Sequence, residues 1–192
     1  MSVPTSSEKL YISAQQLLQD SFELGAKVLA SGFRPKVVIA LWRGGAPIGV
    51  AVQEFIDYYG GCQSDHIAIR TSSYSGIGQR SDHIRIHDLT YLLKNINYDD
   101  PLLIVDDVFD TGRTIDALIR ELKTKARKNC PEDIRVAVPY YKPKSNLTHR
   151  EPDYYIHTTE QWLKFPYSLE GLKEQEIAEN RPEIYSVIKS FL

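Results

Sequence analysis

Apolar residues along this chain follow two rhythms that alternate. "KVVIALWRGG" (36–45), "PLLIVDDV" (101–108) and "DIRVAVPYYK" (133–142) are nearly continuous apolar runs that end in turn or charged residues. That is how strands buried on both faces read. "DHIAIRTSSY" (65–74) and "PDYYIHT" (152–158) read as two further strands. Between the strands the spacing changes to that of helices. "SAQQLLQDSFELGAKVL" sets Leu17, Leu18, Phe22, Leu24 and Val28 at helical intervals behind Ser13, a natural N-cap. "APIGVAVQEFIDYYG" and "TIDALIRELKTKARKN" follow the first two of the nearly continuous apolar runs. Strand, helix, strand in this order predicts an α/β fold with a largely parallel twisted sheet flanked by helices.

The remaining segments are less regular. Residues 1 to 9 read as a polar, frayed start, and "SGIGQRSDHIRIHD" (75–88) as a long loop or hairpin. After Thr158 the pattern breaks into "EQWLKFPYSLEGLKE", an irregular aromatic stretch. The tail "NRPEIYSVIKSFL" brings Ile184, Val187, Ile188 and Phe191 onto one helical face, with Pro182 near its first turn. No repeat or linker is evident, so the 192 residues read as a single domain, with a core of about 9–158 and a small hood and tail of about 159–192.

Composition narrows the partners. A net charge of −2 gives no general attraction for nucleic acid or membrane surfaces. The apolar runs are too short to span a bilayer, and the N-terminal sequence lacks a signal-peptide pattern. Two cysteines without metal-type spacing, Cys62 and Cys130, suit a cytoplasmic protein with reduced thiols. The five histidines (His66, His83, His87, His149, His157) show no metal-ligand spacing. Most of the tyrosines, among them Tyr58, Tyr59, Tyr140, Tyr141, Tyr154 and Tyr155, fall in or beside elements where they are expected to pack.

Ligands of open α/β sheets bind where strands give way to helices at the carboxyl edge. That rule selects three turns: "WRGGAP", "DDVFDTGRT" and "YYKPKS". In the second, Gly112 permits close backbone approach to an anion. Thr111 and Thr114 add hydroxyl donors, and the following helix offers unpaired N–H groups. This is a phosphate cradle. Asp106 and Asp107, directly upstream, would repel a phosphate that they faced. They can accept from sugar hydroxyls instead, or meet phosphates through Mg²⁺. Thr-Gly and Asp-Gly pairs alone are ordinary turn formers. An apolar strand, two acids, two variable residues and Asp-Thr-Gly-x-Thr opening a helix is a far more specific pattern.

The stretch "LLIVDDVFDTGRTI" resembles the phosphoribosyl pyrophosphate (PRPP) signature of the type I phosphoribosyltransferases, and the similarity runs from about Lys9 to Gly171. It implies that Asp106 and Asp107 contact the ribose hydroxyls with Mg²⁺ nearby. Thr111, Gly112, Arg113 and Thr114 would hold the 5′-phosphate, with Arg113 acting mainly through its backbone. Asp110 would lie near N7 of a purine and exchange a proton. "ALWRGGAPIG" resembles the pyrophosphate loop, with Arg43, Gly44 and Gly45 as its anion-binding residues; there the family often has a non-proline cis peptide, here between Trp42 and Arg43. "RTSSYSGIGQR" resembles the family's mobile lid, including the pair Ser73 and Tyr74 typical of 6-oxopurine enzymes, with Arg80 reaching the pyrophosphate.

For the acceptor base, Lys142 stands where 6-oxopurine enzymes put a lysine on O6. "EQWLKFPYSLEG" resembles the short hood of bacterial xanthine–guanine enzymes, which makes Trp162, Leu163 and Phe165 the stacking and lining residues. Two departures are visible: Tyr167 takes the place of a tryptophan after the hood proline, and no aspartate ends the hood. The resemblance thus implies a Mg²⁺-dependent purine-salvage enzyme that transfers ribose 5-phosphate from PRPP to N9 of hypoxanthine, guanine or xanthine. It also implies a homo-oligomer, dimer or tetramer. A PRPP- or nucleotide-sensing regulator on the same fold is the alternative.

Overall fold

A computed structural model gives the structure; it describes residues 9–76, 79–87 and 89–191, and for residues 73–76 and 79–83 the backbone only. In chain order the elements are β1 (Lys9–Tyr11), α1 (Ala14–Ala30), β2 (Val37–Trp42), α2 (Gly45–Gly60), β3 (Asp65–Gly76), β4 (Gln79–Ile86), α3 (Thr90–Asn95), β5 (Leu102–Val105) and β6 (Val108–Phe109). They continue with α4 (Arg113–Ala126), β7 (Ile134–Tyr141), β8 (Tyr154–Thr158), β9 (Trp162–Lys164), α5 (Glu174–Asn180) and α6 (Pro182–Ile188). Two compact units result: Leu18–Glu160, and the two chain ends Met1–Leu17 with Gln161–Leu192.

The central unit holds the α/β sheet. Its strands run β4-β3-β2-β5-β7, with β6 continuing the track of β5 along β7 and β8 on the far edge of β7. Every pairing is parallel except β3 with β4, which form an antiparallel hairpin. The side chains of β2, β5 and β7 point alternately to the two faces. One set (Val37, Ile39, Leu41; Leu102, Ile104; Val136, Val138) packs with Leu92 of α3 and Ile115, Leu118, Ile119 and Leu122 of α4. On the other face α2 lies so close that a Cβ on Gly49 would come within 2.6 Å of the Cβ of Ala40. Both faces are therefore covered, which is why these strands read as unbroken apolar runs.

The second unit is built from both ends of the chain. β1 pairs in parallel with β9, Lys9 opposite Trp162 and Tyr11 opposite Lys164. The residue expected to fray is thus a strand residue, because a partner distant in sequence supplies its hydrogen bonds. The segment after Thr158 is likewise less irregular than expected. It contributes β9, and then α5 and α6, with Pro182 in the first turn of α6. The apolar face of the tail helix is present, but Ile184, Val187 and Phe191 are exposed.

Two local expectations hold and one is corrected. Ser13 Oγ accepts from the backbone N–H of Gln16 at 3.1 Å, an N-cap for α1. Tyr140, Tyr141 and Tyr154 are buried. Tyr58 and Tyr59, expected to pack, are largely exposed at the end of α2, where their rings meet each other at 4.9 Å. Both cysteines are free, and among the described residues no helix is long and apolar enough to cross a membrane.

Candidate active site

Parallel register brings the three chemistry-bearing turns to one edge of the sheet. Ala40, Val105 and Ala137 form one rung across β2, β5 and β7. Asp106 and Asp107 therefore leave the sheet beside the turn that begins at Trp42. Further along β7, the N–H of Lys142 donates to the carbonyl of Phe109 at 2.9 Å and ties the third turn to the second.

The first turn is shaped around the acid pair. The Trp42–Arg43 peptide is cis, as the resemblance implies. A Cβ on Gly44 would stand 1.9 Å from Oδ2 of Asp107, and one on Gly45 would stand 2.4 Å from the carbonyl oxygen of Val105. Neither position has room for a side chain. The backbone of Gly45 also donates to the Asp106 carboxylate, as does the N–H of Asp107, at 3.0 Å. The glycines thus let one loop lie against the strand end that carries the acids. Arg43 is exposed at the same turn.

Asp106 keeps some exposed area but is closely surrounded by protein. Burial, and next to it the charge of Asp107, push its carboxyl well above the usual carboxylate range. Two adjacent carboxylates, one of them resisting ionisation, form a site short of positive charge. A divalent cation shared with substrate oxygens fits that imbalance. Among the described residues no cluster of three or more His, Cys, Asp or Glu forms a metal cage.

The second turn encloses a cavity of about 200 Å³ lined by Asp106, Asp107, Asp110, Thr111, Gly112 and Thr114 together with neighbouring apolar residues. Gly112 has φ 75° and is the N-cap of α4, so no capping side chain closes the helix start. A Cβ there would strike the Thr148 hydroxyl at 2.5 Å and the Phe109 ring at 2.8 Å. Leu147 donates to the Thr111 carbonyl at 3.1 Å and braces the loop from the β7–β8 connection. Arg113 projects outward. Nζ of Lys142 lies 3.8 Å from Oδ2 of Asp110.

The remaining candidates divide in two. β3 and β4 make a hairpin of the expected lid, with Ser75 opposite Arg80; the side chains of Ser73, Tyr74 and Arg80 lie outside the described residues. In the terminal unit, Trp162 is 57% exposed and Leu163 half-buried. Phe165 is buried, its ring stacked on Tyr167 at 5.7 Å. The Arg181 guanidinium, itself buried, donates to the carbonyls of Lys164, Phe165 and Ser168 and fixes this segment.

The sequence reading assigned no role to Asp20 or His157. Buried Asp20 lies 3.0 Å from Nε2 of His157 and accepts from Tyr140 at 3.4 Å. An aspartate in the middle of α1 gave no signal, because its partners come from β7 and β8.

Comparison with known proteins follows the same outline. Residues 10–174 match the family model of the phosphoribosyl transferase domain. A hypoxanthine-guanine phosphoribosyltransferase from Lactococcus lactis is 27% identical over 150 residues, 77% of this chain and 74% of that protein. The crystal structure of a purine phosphoribosyltransferase from Pyrococcus horikoshii is 26% identical, with a TM-score of 0.68 over 86% of this chain and 97% of its own. A Neisseria gonorrhoeae protein solved with bound ppGpp shares the fold at 18% identity and a TM-score of 0.72, covering 95% and 98% of the two chains.

Proposed function

Since the chain belongs to the phosphoribosyltransferase family and is a pentosyl-transferring enzyme, we propose that it salvages purines, moving ribose 5-phosphate from PRPP to N9 of hypoxanthine, guanine or xanthine with release of pyrophosphate. The observation that carries this reading is the small cavity where three aspartates and the Thr111–Thr114 loop converge, with Lys142 beside Asp110. The hypoxanthine-guanine relative adds support for a 6-oxopurine acceptor.

In this reading the open N–H groups at the start of α4 and the Thr111 and Thr114 hydroxyls hold the 5′-phosphate. Asp106 and Asp107 accept from the ribose hydroxyls. The Arg43–Gly45 loop and Arg80 receive the pyrophosphate. Mg²⁺, when bound through Asp106 and Asp107, supplies positive charge against the leaving oxygens. As the C1′–oxygen bond breaks, charge develops at C1′ and on the pyrophosphate, and fixed groups orient and screen it. Asp110 takes up the proton that the base gives up, and Lys142 donates to O6. In the terminal unit, Trp162 and Leu163 offer stacking and lining surface for a purine, and Phe165 supports them. We place the enzyme in the cytoplasm as a homo-oligomer.

Steady-state assay of hypoxanthine, guanine, xanthine and adenine with PRPP tests the proposal. A 6-oxopurine should yield its nucleoside 5′-monophosphate and pyrophosphate in equal amounts, and adenine should be poor. Absence of base-dependent PRPP consumption would overturn it.

A further inference from the structure

The connection from β7 to β8, residues 142–153, contains no helix or strand, and its shape is set by side-chain bonds instead. Asn146 is their hub. Its Oδ1 accepts from the backbone N–H of Thr148 at 2.9 Å and from the Thr148 hydroxyl at 2.9 Å. Its Nδ2 donates to the Arg150 carbonyl at 2.9 Å and to the Tyr141 hydroxyl at 3.3 Å. An Asx turn, which asparagine forms in many loops, needs only the first of these bonds. The reach back to Tyr141, the last residue of β7, ties the connection to the sheet.

What Asn146 holds stands directly against the phosphate cradle. A Cβ on Gly112 would stand 2.5 Å from the Thr148 hydroxyl and 2.8 Å from the Phe109 ring, so both pack on that glycine. Phe109 in turn meets Tyr141 edge to face at 5.7 Å. The contacts close a ring: Asn146, Thr148, Gly112, Phe109, Tyr141 and back to Asn146. Between Asn146 and Thr148, the N–H of Leu147 donates to the Thr111 carbonyl at 3.1 Å. All of these residues belong to the central unit. Gly112 has φ 75° at the start of α4, and a glycine is free to leave that conformation. Its neighbours must therefore keep the N–H groups of the cradle aimed at one point.

We propose that Asn146 is a positioning residue for the 5′-phosphate of PRPP. By fixing Leu147 and Thr148 it holds the Thr111–Gly112 backbone in the binding conformation before the ligand arrives. The proposal rests on the reading of Thr111–Thr114 as the phosphate cradle. Asn146 acts through its two neighbours and not by contact with the ligand. Preorganisation of this kind lowers the ordering cost of binding, so its loss should appear as weaker affinity and not as slower chemistry.

The test measures ribose 5-phosphate affinity by calorimetry, and KM for PRPP against kcat, in the wild type, Asn146→Ala, Thr148→Val and Thr148→Ser. The first two variants should bind ribose 5-phosphate about 3- to 30-fold more weakly, the range for residues that act on a ligand through others. KM for PRPP should rise to match, with kcat at saturation nearly unchanged. Thr148→Ser keeps the hydroxyl and should bind like the wild type. A merely stabilising role would lower the melting temperature and leave the affinity alone, and that result would overturn the proposal. If neither variant folds, hydrogen exchange in the wild type decides. Ribose 5-phosphate should raise the protection of the Leu147 and Thr148 amides, because coupling between ligand and brace is reciprocal; unchanged protection at both would also overturn the proposal. A wild type that binds no ribose 5-phosphate would bring down the cradle reading itself, and the proposal with it.

Discussion

Lys142 and Asp110 face each other at 3.8 Å, with Lys142 only 13% exposed and Asp110 47%. An ion pair with one partner this open contributes little to stability, so its arrangement speaks for the ligand. Lys142→Ala should leave the melting temperature nearly unchanged and narrow the gap between hypoxanthine and adenine. A site built to hydrogen-bond one polar substituent rejects an analogue lacking it by roughly 10⁴-fold. Asp110→Asn should lower kcat by about 10²- to 10⁴-fold, the usual range for a general base, with PRPP affinity nearly intact. Discrimination unchanged in the first variant, or turnover unchanged in the second, would remove that residue from the proposed role.

The neighbouring acids should behave differently. Asp106→Ala and Asp107→Ala should weaken PRPP binding, and most of the loss should appear only when Mg²⁺ is present. Titration calorimetry with and without the ion checks this. Equal PRPP affinity of the wild type in both conditions would count against a metal at the pair.

The two glycines of the first turn should fail in different ways. In Gly44→Ala the new methyl meets the Asp107 side chain, which can swing aside. Lost PRPP affinity with modest destabilisation should result. In Gly45→Ala it meets the backbone of Val105 and Asp106, which cannot. That variant should lose about 1–3 kcal/mol or more, read as a shift in the urea midpoint.

Acid should loosen the terminal unit. The Lys9 ammonium, then the Lys173 N–H, hold the Glu176 carboxyl down at about 2. A carboxylate depressed in the fold stabilises fully above its unfolded value and loses that contribution as pH falls toward 2. Glu176→Gln should therefore be less stable than the wild type at pH 7 and nearly equal to it near pH 2. Urea titrations at both pH values test the sign.

Arg181 offers a sharper disruption. Replacement by Met would take one donor from each of the carbonyls of Lys164, Phe165 and Ser168, of which those of Lys164 and Phe165 keep the backbone N–H of Ile12 and Ser168; a buried acceptor left unsatisfied costs about 1–3 kcal/mol. Hydrogen exchange at residues 164–168 should accelerate well before that of β5 or β7. Uniform exchange across both units would contradict this local role.

What could be read from the residues depended on where the partners lie. β2, β5 and β7 were legible because both faces are covered, which leaves an apolar run in the sequence itself. The acid pair, Asp110 and the Thr111–Thr114 loop were legible for a similar reason: one short stretch holds them all. β1 was not, since three residues of mixed polarity become a strand only through Trp162–Lys164. The apolar stripe of the tail predicted a helix correctly but not its burial, because periodicity marks a face without naming what covers it.

The parallel pairing of β1 with β9 also orders events on the ribosome. The first strand emerges early and has no partner until the whole central unit has been made. At about 5–20 residues per second, that delay is on the order of ten seconds. By then the phosphate cradle, whose residues all precede Glu160, has been free to form. A growing chain would have its cradle before its terminal unit can form, and β1 is the stretch that waits longest for a chaperone or for its own distant end.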